Sequence, residues 1–169
     1  MKTIQQLKKD GITKGLCRMW QWKLKPGLNM DNLVQLYVKG IDFCISEDFP
    51  TLEFMRENFK GKCEEFGIFI DDEISDLVDN PDTVLNGNCK AMLKYSGYTV
   101  ARVFARHNSE AAVNVENNAI VTIDAFDDTN LVIATAGSDA QVFINLYGNA
   151  QAQCIGDGII VRKHNKLYY

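Results

Sequence analysis

The chain has 169 residues, of which 46% are apolar, 10% aromatic and 24% charged, and its formal net charge is −4. These values exclude a collagen-like repeat, a disordered polar tract and a strongly basic nucleic-acid binder, and they suit one domain or two small ones. No apolar run approaches the ~20 residues of a membrane span, so no membrane partner is expected.

The N-terminus carries Lys2, Lys8 and Lys9 with no apolar stretch after them, so it does not read as a secretory leader and a cytoplasmic start is expected. Thr3 and Gln6 make a capping-box pattern, with Ile4 and Leu7 opening an apolar stripe that Gly11 is expected to break. A second helix is expected over Lys14 to Leu24, ended by Pro26-Gly27. Asn29 or Asp31 can cap a third, with Leu33, Leu36 and Tyr37 at helical spacing and Gly40 as its stop. Ile41 to Ile45 is an apolar continuation. Ser46 to Pro50 reads as the start of a fourth helix, with Pro50 in its first turn, Leu52, Phe54, Met55 and Phe59 as its apolar stripe, and Gly61 as the stop. Residues 1–63 therefore read as a small helical module. They carry 11 Lys/Arg against 7 Asp/Glu.

The pattern then changes. Residues 64–82 hold eight acids and no base. This stretch reads as an acidic boundary segment, with a short strand near Phe66 to Ile70 and one helical turn around Ile74, Leu77 and Val78. From residue 83 to 169, short β-like runs begin about every 10 residues, separated by Asn, Asp, Ser and Gly turns. Tyr98, Ala119, Ala140 and Ile159 are separated by 21, 21 and 19 residues, and Ala112, Leu131 and Ala150 by 19 each. A period near 20 with two strands per period predicts a parallel β-solenoid, in which stacked coils about 4.8 Å apart bury one continuous interior. The expected fold is α+β, a helical module followed by a short parallel β-solenoid. The alternative is an antiparallel β-sandwich or meander, which has the same strand spacing. The first open end of a solenoid could be covered by the helical module. The last, near Lys163 to Tyr169, could be covered by its basic-aromatic tail or by another chain.

No Walker A loop, Rossmann glycine fingerprint, GxSxG or HExxH occurs, so no catalytic residue, cofactor or metal is assigned and an enzyme is not expected. The acidic cluster Asp71, Asp72, Glu73, Asp76, Asp79 and Asp82 lacks the ligand ladder of a calcium loop and reads as a solvated face. Five cysteines, with no CxxC, read as small buried apolar residues of a reducing compartment. The candidate residues are for interaction. Trp20-Gln21-Trp22 cannot place both indoles on one side of a helix, so one is expected at the surface, where tryptophan favours a protein partner. Arg106-His107 and Arg162-Lys163-His164 lie nearly three periods apart and are expected to form a basic stripe along one solenoid edge.

The strings Gly15-Leu16-Cys17-Arg18-Met19-Trp20-Gln21, Gly40-Ile41-Asp42-Phe43-Cys44, Arg106-His107-Asn108-Ser109 and Asn145-Leu146-Tyr147-Gly148-Asn149-Ala150 resemble small proteins encoded in phages and prophages of gut bacteria. The β half is also similar to the stacked coils of bactofilins and adhesin-like β-solenoids. Bactofilins carry short disordered tails where this chain has its helical module. The resemblance implies a virion-associated or assembly role. The leading expectation is a structural, assembly or interaction protein, with the solenoid as a rigid platform and the helical module for docking or oligomerisation. Its partner would be another protein or copies of itself, such as a trimer, and nucleic acid is not expected. The alternatives are a module binding carbohydrate or another polymer, and a polysaccharide-cleaving β-helix enzyme using Asp124, Asp127 or Asp128.

Overall fold

The computed structural model describes residues 2–169 and divides into two compact units, one ending at Phe66 and one spanning 67–168. The first holds five helices: α1 Lys2–Thr13, α2 Arg18–Lys23, α3 Met30–Lys39, α4 Ile41–Ser46 and α5 Leu52–Asn58. Their ends follow local chemistry. The Asn29 side chain caps α3 by accepting from the Asn32 N–H at 2.9 Å, and Thr51 caps α5 by accepting from the Phe54 N–H at 3.3 Å. Pro50 therefore precedes the cap rather than entering the helix. The second helix is shorter than expected and begins at Arg18. Gly11 does not break α1. A Cβ at that position would stand 2.9 Å from Leu16 Cδ2 and 3.0 Å from Phe49 Cζ, so the glycine is there for close packing inside a helix.

The second unit is a parallel β-solenoid of about five turns, preceded by a 3₁₀ turn at Glu64–Phe66. Odd-numbered strands form one six-stranded sheet: β1 Ile68–Ile70, β3 Asp82–Asn86, β5 Val100–Ala105, β7 Ile120–Ala125, β9 Gln141–Leu146 and β11 Ile159–Lys163. Even-numbered strands form the other: β2 Glu73–Val78, β4 Lys90–Tyr95, β6 Glu110–Glu116, β8 Asn130–Ala136 and β10 Gln151–Ile155. Every pair is parallel, which removes the antiparallel alternative. Alternate residues of both sheets meet in a shared interior. In β4, β6 and β7, burial alternates along the strand as a half-buried strand requires.

The coil length varies. Val100 pairs with Ile120 and Ile120 with Gln141, steps of 20 and 21, whereas Ile68 pairs with Val84 and Val142 with Ile159, steps of 16 and 17. Ala119 and Ala140 are thus in step. Ala112, Leu131 and Ala150 are not, because Leu131 pairs with Ala111 and Ala152. The acidic stretch 64–82 contains the first coil. Its anticipated helical turn is strand β2. Ile74 pairs with Ala91 but Leu77 with Leu93, so one extra residue bulges out between them. The bulge sets two core-packed residues three apart, which imitates helical spacing in a strand.

Candidate interaction surfaces

Each coil turns from the first sheet to the second through a residue in the left-handed region. Asp71, Gly87, His107, Asp127 and Gly148 hold these places, with φ between +52° and +80°. The residue just before each belongs to one register column: Ile70, Asn86, Arg106, Phe126, Tyr147 and, in the last coil, His164. His107 therefore lies in a different column from Arg106 and His164. Arg106 is only 2% exposed. Between Arg106 and His164 stand two aromatic rings, with Phe126 stacked on Tyr147 at 4.8 Å and Tyr147 on His164 at 4.4 Å. The expected basic stripe is thus a corner ladder with an aromatic middle, and its first cation is out of reach of a partner.

His107 serves this corner twice. Its Nδ1 accepts from the Gly87 N–H at 3.0 Å, and its own N–H donates to Asp127 Oδ2 at 2.9 Å. Tyr168 Oη donates to the other Asp127 oxygen at 3.1 Å, which draws the C-terminal tail onto the corner. His164 lies within 3.3 Å of Asn145 Oδ1, and Asn145 Nδ2 donates to Asp124 Oδ1 at 2.6 Å.

The acidic residues of the first coil are joined to its neighbours. Asp71 accepts from the Asn88 N–H, Asp79 from the Ser96 N–H and Thr99 hydroxyl, and Asp76 pairs with Lys94 at 3.0 Å. Asp82 and Arg102, adjacent on β3 and β5, form an ion pair at 2.6 Å. Asp128 accepts from Asn149 Nδ2 at 3.0 Å. These carboxylates hold successive coils together one period apart, a role that their sequence spacing of 17 to 21 residues could have revealed. Among the described residues, no group of three or more His, Cys, Asp and Glu side chains is placed to hold a metal ion.

Arg162 and Lys163 are exposed on β11. Lys163 takes the register position held by Leu85, Ala105, Ala125 and Leu146 in the coils before it. Other columns also reach solvent in this last coil. Ile144 is buried but its partner Val161 is 46% exposed, and Ile133 is buried but its partner Cys154 is exposed. Ile155 and Ile160 are exposed beside them. The sequence marks this end as open near Lys163 to Tyr169 but offers only Arg162, Lys163 and His164 there as interaction candidates.

In the helical unit, the two indoles separate as expected. Trp20 is partly buried, with the Lys23 ammonium 4.1 Å from its ring centroid. A Cβ at Gly40 would lie 3.3 Å from its Cη2. Trp22 is 70% exposed and Met19 57% exposed. No described helix is long and apolar enough to cross a membrane. In comparisons with known proteins, the chain matches no family model, no curated protein and no solved structure.

Proposed function

We propose that this is a non-enzymatic structural or assembly protein, whose β-solenoid is a rigid platform that associates with copies of itself. The supporting observation is the unsealed last coil. Core columns that are fully buried upstream run out to solvent at Cys154 and Val161, beside the free edges of β10 and β11. A repeat protein with an apolar terminal coil gains by covering it, and exposed strand edges are templates for further strands. A two-fold arrangement would use the same edge on both copies. Lys163 places a charge at one column and tempers this association.

Light scattering on the size-fractionated chain tests the reading. A homo-oligomer is expected, dissociated by Val161→Asp and tightened by Lys163→Leu. A monomer throughout, indifferent to both substitutions, overturns it. The polymer-binding alternative is less favoured, because the outward polar pair Asp124 and Asn145 is hydrogen-bonded within itself. The resemblance to phage-encoded proteins extends the assembly reading to a virion-associated role, for which co-purification with assembled particles is the test.

A further inference from the structure

The N-terminal 25 residues carry seven Lys or Arg and one Asp, in a chain whose net charge is −4. Two helices display this charge around apolar side chains. On α1, the exposed Ile12 stands four residues after Lys8 and three after Lys9, so all three share one side of the helix. The lone acid, Asp10, is off that side and accepts from Gln6 Nε2 at 2.7 Å. On α2, Arg18, Met19, Trp22 and Lys23 are exposed together, while Trp20 and Gln21 are partly buried. Met19 and Trp22 are three apart and lie between the two bases. Lys14 and Lys25 are exposed in the segments flanking α2.

The same motif therefore occurs twice: an apolar side chain standing out of the surface, with cations beside it and no carboxylate on the same helix face. A protein partner would need a matching cavity for an indole and a thioether. A single-stranded nucleic acid would use the indole and the bases but not Met19 or Ile12. The headgroup region of a bilayer accepts all of them without shape complementarity. Trp sits well at that depth, and each nearby base is attracted to anionic lipid. Peripheral binding of this kind combines an apolar contact with a basic patch and needs no spanning segment.

We infer that the outer faces of α1 and α2 form a peripheral docking surface for an anionic phospholipid bilayer, with Trp22 and Met19 as its apolar contacts and Lys8, Lys9, Arg18 and Lys23 as its cations. This surface lies in the helical unit and is independent of the open solenoid end.

Vesicle flotation with the full chain tests it. The protein is expected to float with vesicles containing phosphatidylglycerol, to stay behind with pure phosphatidylcholine, and to be released by high salt. Trp22→Ala is expected to weaken partitioning about tenfold. Arg18→Gln and Lys9→Gln are expected to weaken it about fivefold each. Trp22→Phe is expected to keep flotation and remove the blue shift of tryptophan emission on vesicle addition. Val161→Asp, which acts on self-association, should float like the parent chain, so the two readings can fail separately. Absence of flotation on anionic vesicles overturns the inference, as does equal flotation on neutral ones or indifference to Trp22→Ala. Tight binding to single-stranded DNA, lost in Trp22→Ala without any flotation, would assign the surface to nucleic acid instead.

Discussion

Tyr147 and His164 stack with their ring centroids 4.4 Å apart and their planes 6° from parallel, although 17 residues separate them. The contact exists because Leu146 pairs with Lys163, which puts the next residue of each strand in the same corner column. Phe126 continues the stack on the other side of Tyr147. Tyr147→Ala should therefore remove two ring contacts and cost about 3–5 kcal/mol. Tyr168→Phe keeps the ring, removes the hydroxyl that donates to Asp127 and should cost about 1 kcal/mol. Urea unfolding midpoints, with the slope unchanged, check both values.

The corners on the opposite edge also need left-handed residues. Asn117 holds one with φ +59°. Asn117→Val should cost about 1–2 kcal/mol, because a β-branched side chain crowds the backbone in that region. Asn117→Gly should be tolerated within about 0.5 kcal/mol. Thermal unfolding of the two variants separates backbone strain from loss of the amide.

The interior should weaken toward the open end. Ile144 and Val161 are neighbours in one column, the first buried and the second half exposed. Ile144→Ala should cost about 2–5 kcal/mol and leave a cavity. Val161→Ala should change unfolding of the dilute protein by less than about 0.5 kcal/mol. Equal losses at both positions would mean that the last coil is sealed in solution.

Stability should fall in alkali. Burial pushes the Cys89 thiol above its ordinary value of 9.0 and the Tyr95 phenol above its ordinary value of 10.0. Above those values the unfolded chain loses protons that the folded chain still holds, so stability is full at lower pH and declines as pH rises. Cys89→Ala combined with Tyr95→Phe should flatten the decline. Denaturant titrations across the alkaline range measure it.

Thiol reactivity should follow exposure. Cys17 and Cys154 are exposed, whereas Cys44, Cys63 and Cys89 are buried. An aromatic disulfide reagent at neutral pH should modify the first two in the folded protein and the others only after denaturant is added. Serine variants of Cys17 and Cys154 assign the fast phases.

The repeat was legible because corner chemistry and alternation are local. Asn117-Asn118-Ala119 and Gly148-Asn149-Ala150 announce turns, and Val121, Ile123 and Ala125 alternate with polar neighbours. The β2 bulge was not legible, because one extra residue between Ile74 and Leu77 changes the period from two to three. His107 and His164 were assigned to one edge from their spacing alone. Three coils span 58 residues here, one more than the 57 between the two histidines, and that single residue puts His164 in the column of Arg106. Arg106 itself read as a surface base because nothing in the neighbouring residues signals its burial.

The sequence by itself determined the kinds of element: short capped helices, then paired strands with a turn every ten residues or so. Propensity, capping and alternation act between near neighbours, so they can be read along the chain. Only the tertiary structure decided which residues stack, because register accumulates coil by coil and a single insertion shifts every later column. That register stacks His164 on Tyr147, takes Arg106 out of solvent, ties the acids to neighbouring coils and leaves Val161 and Cys154 at an open end.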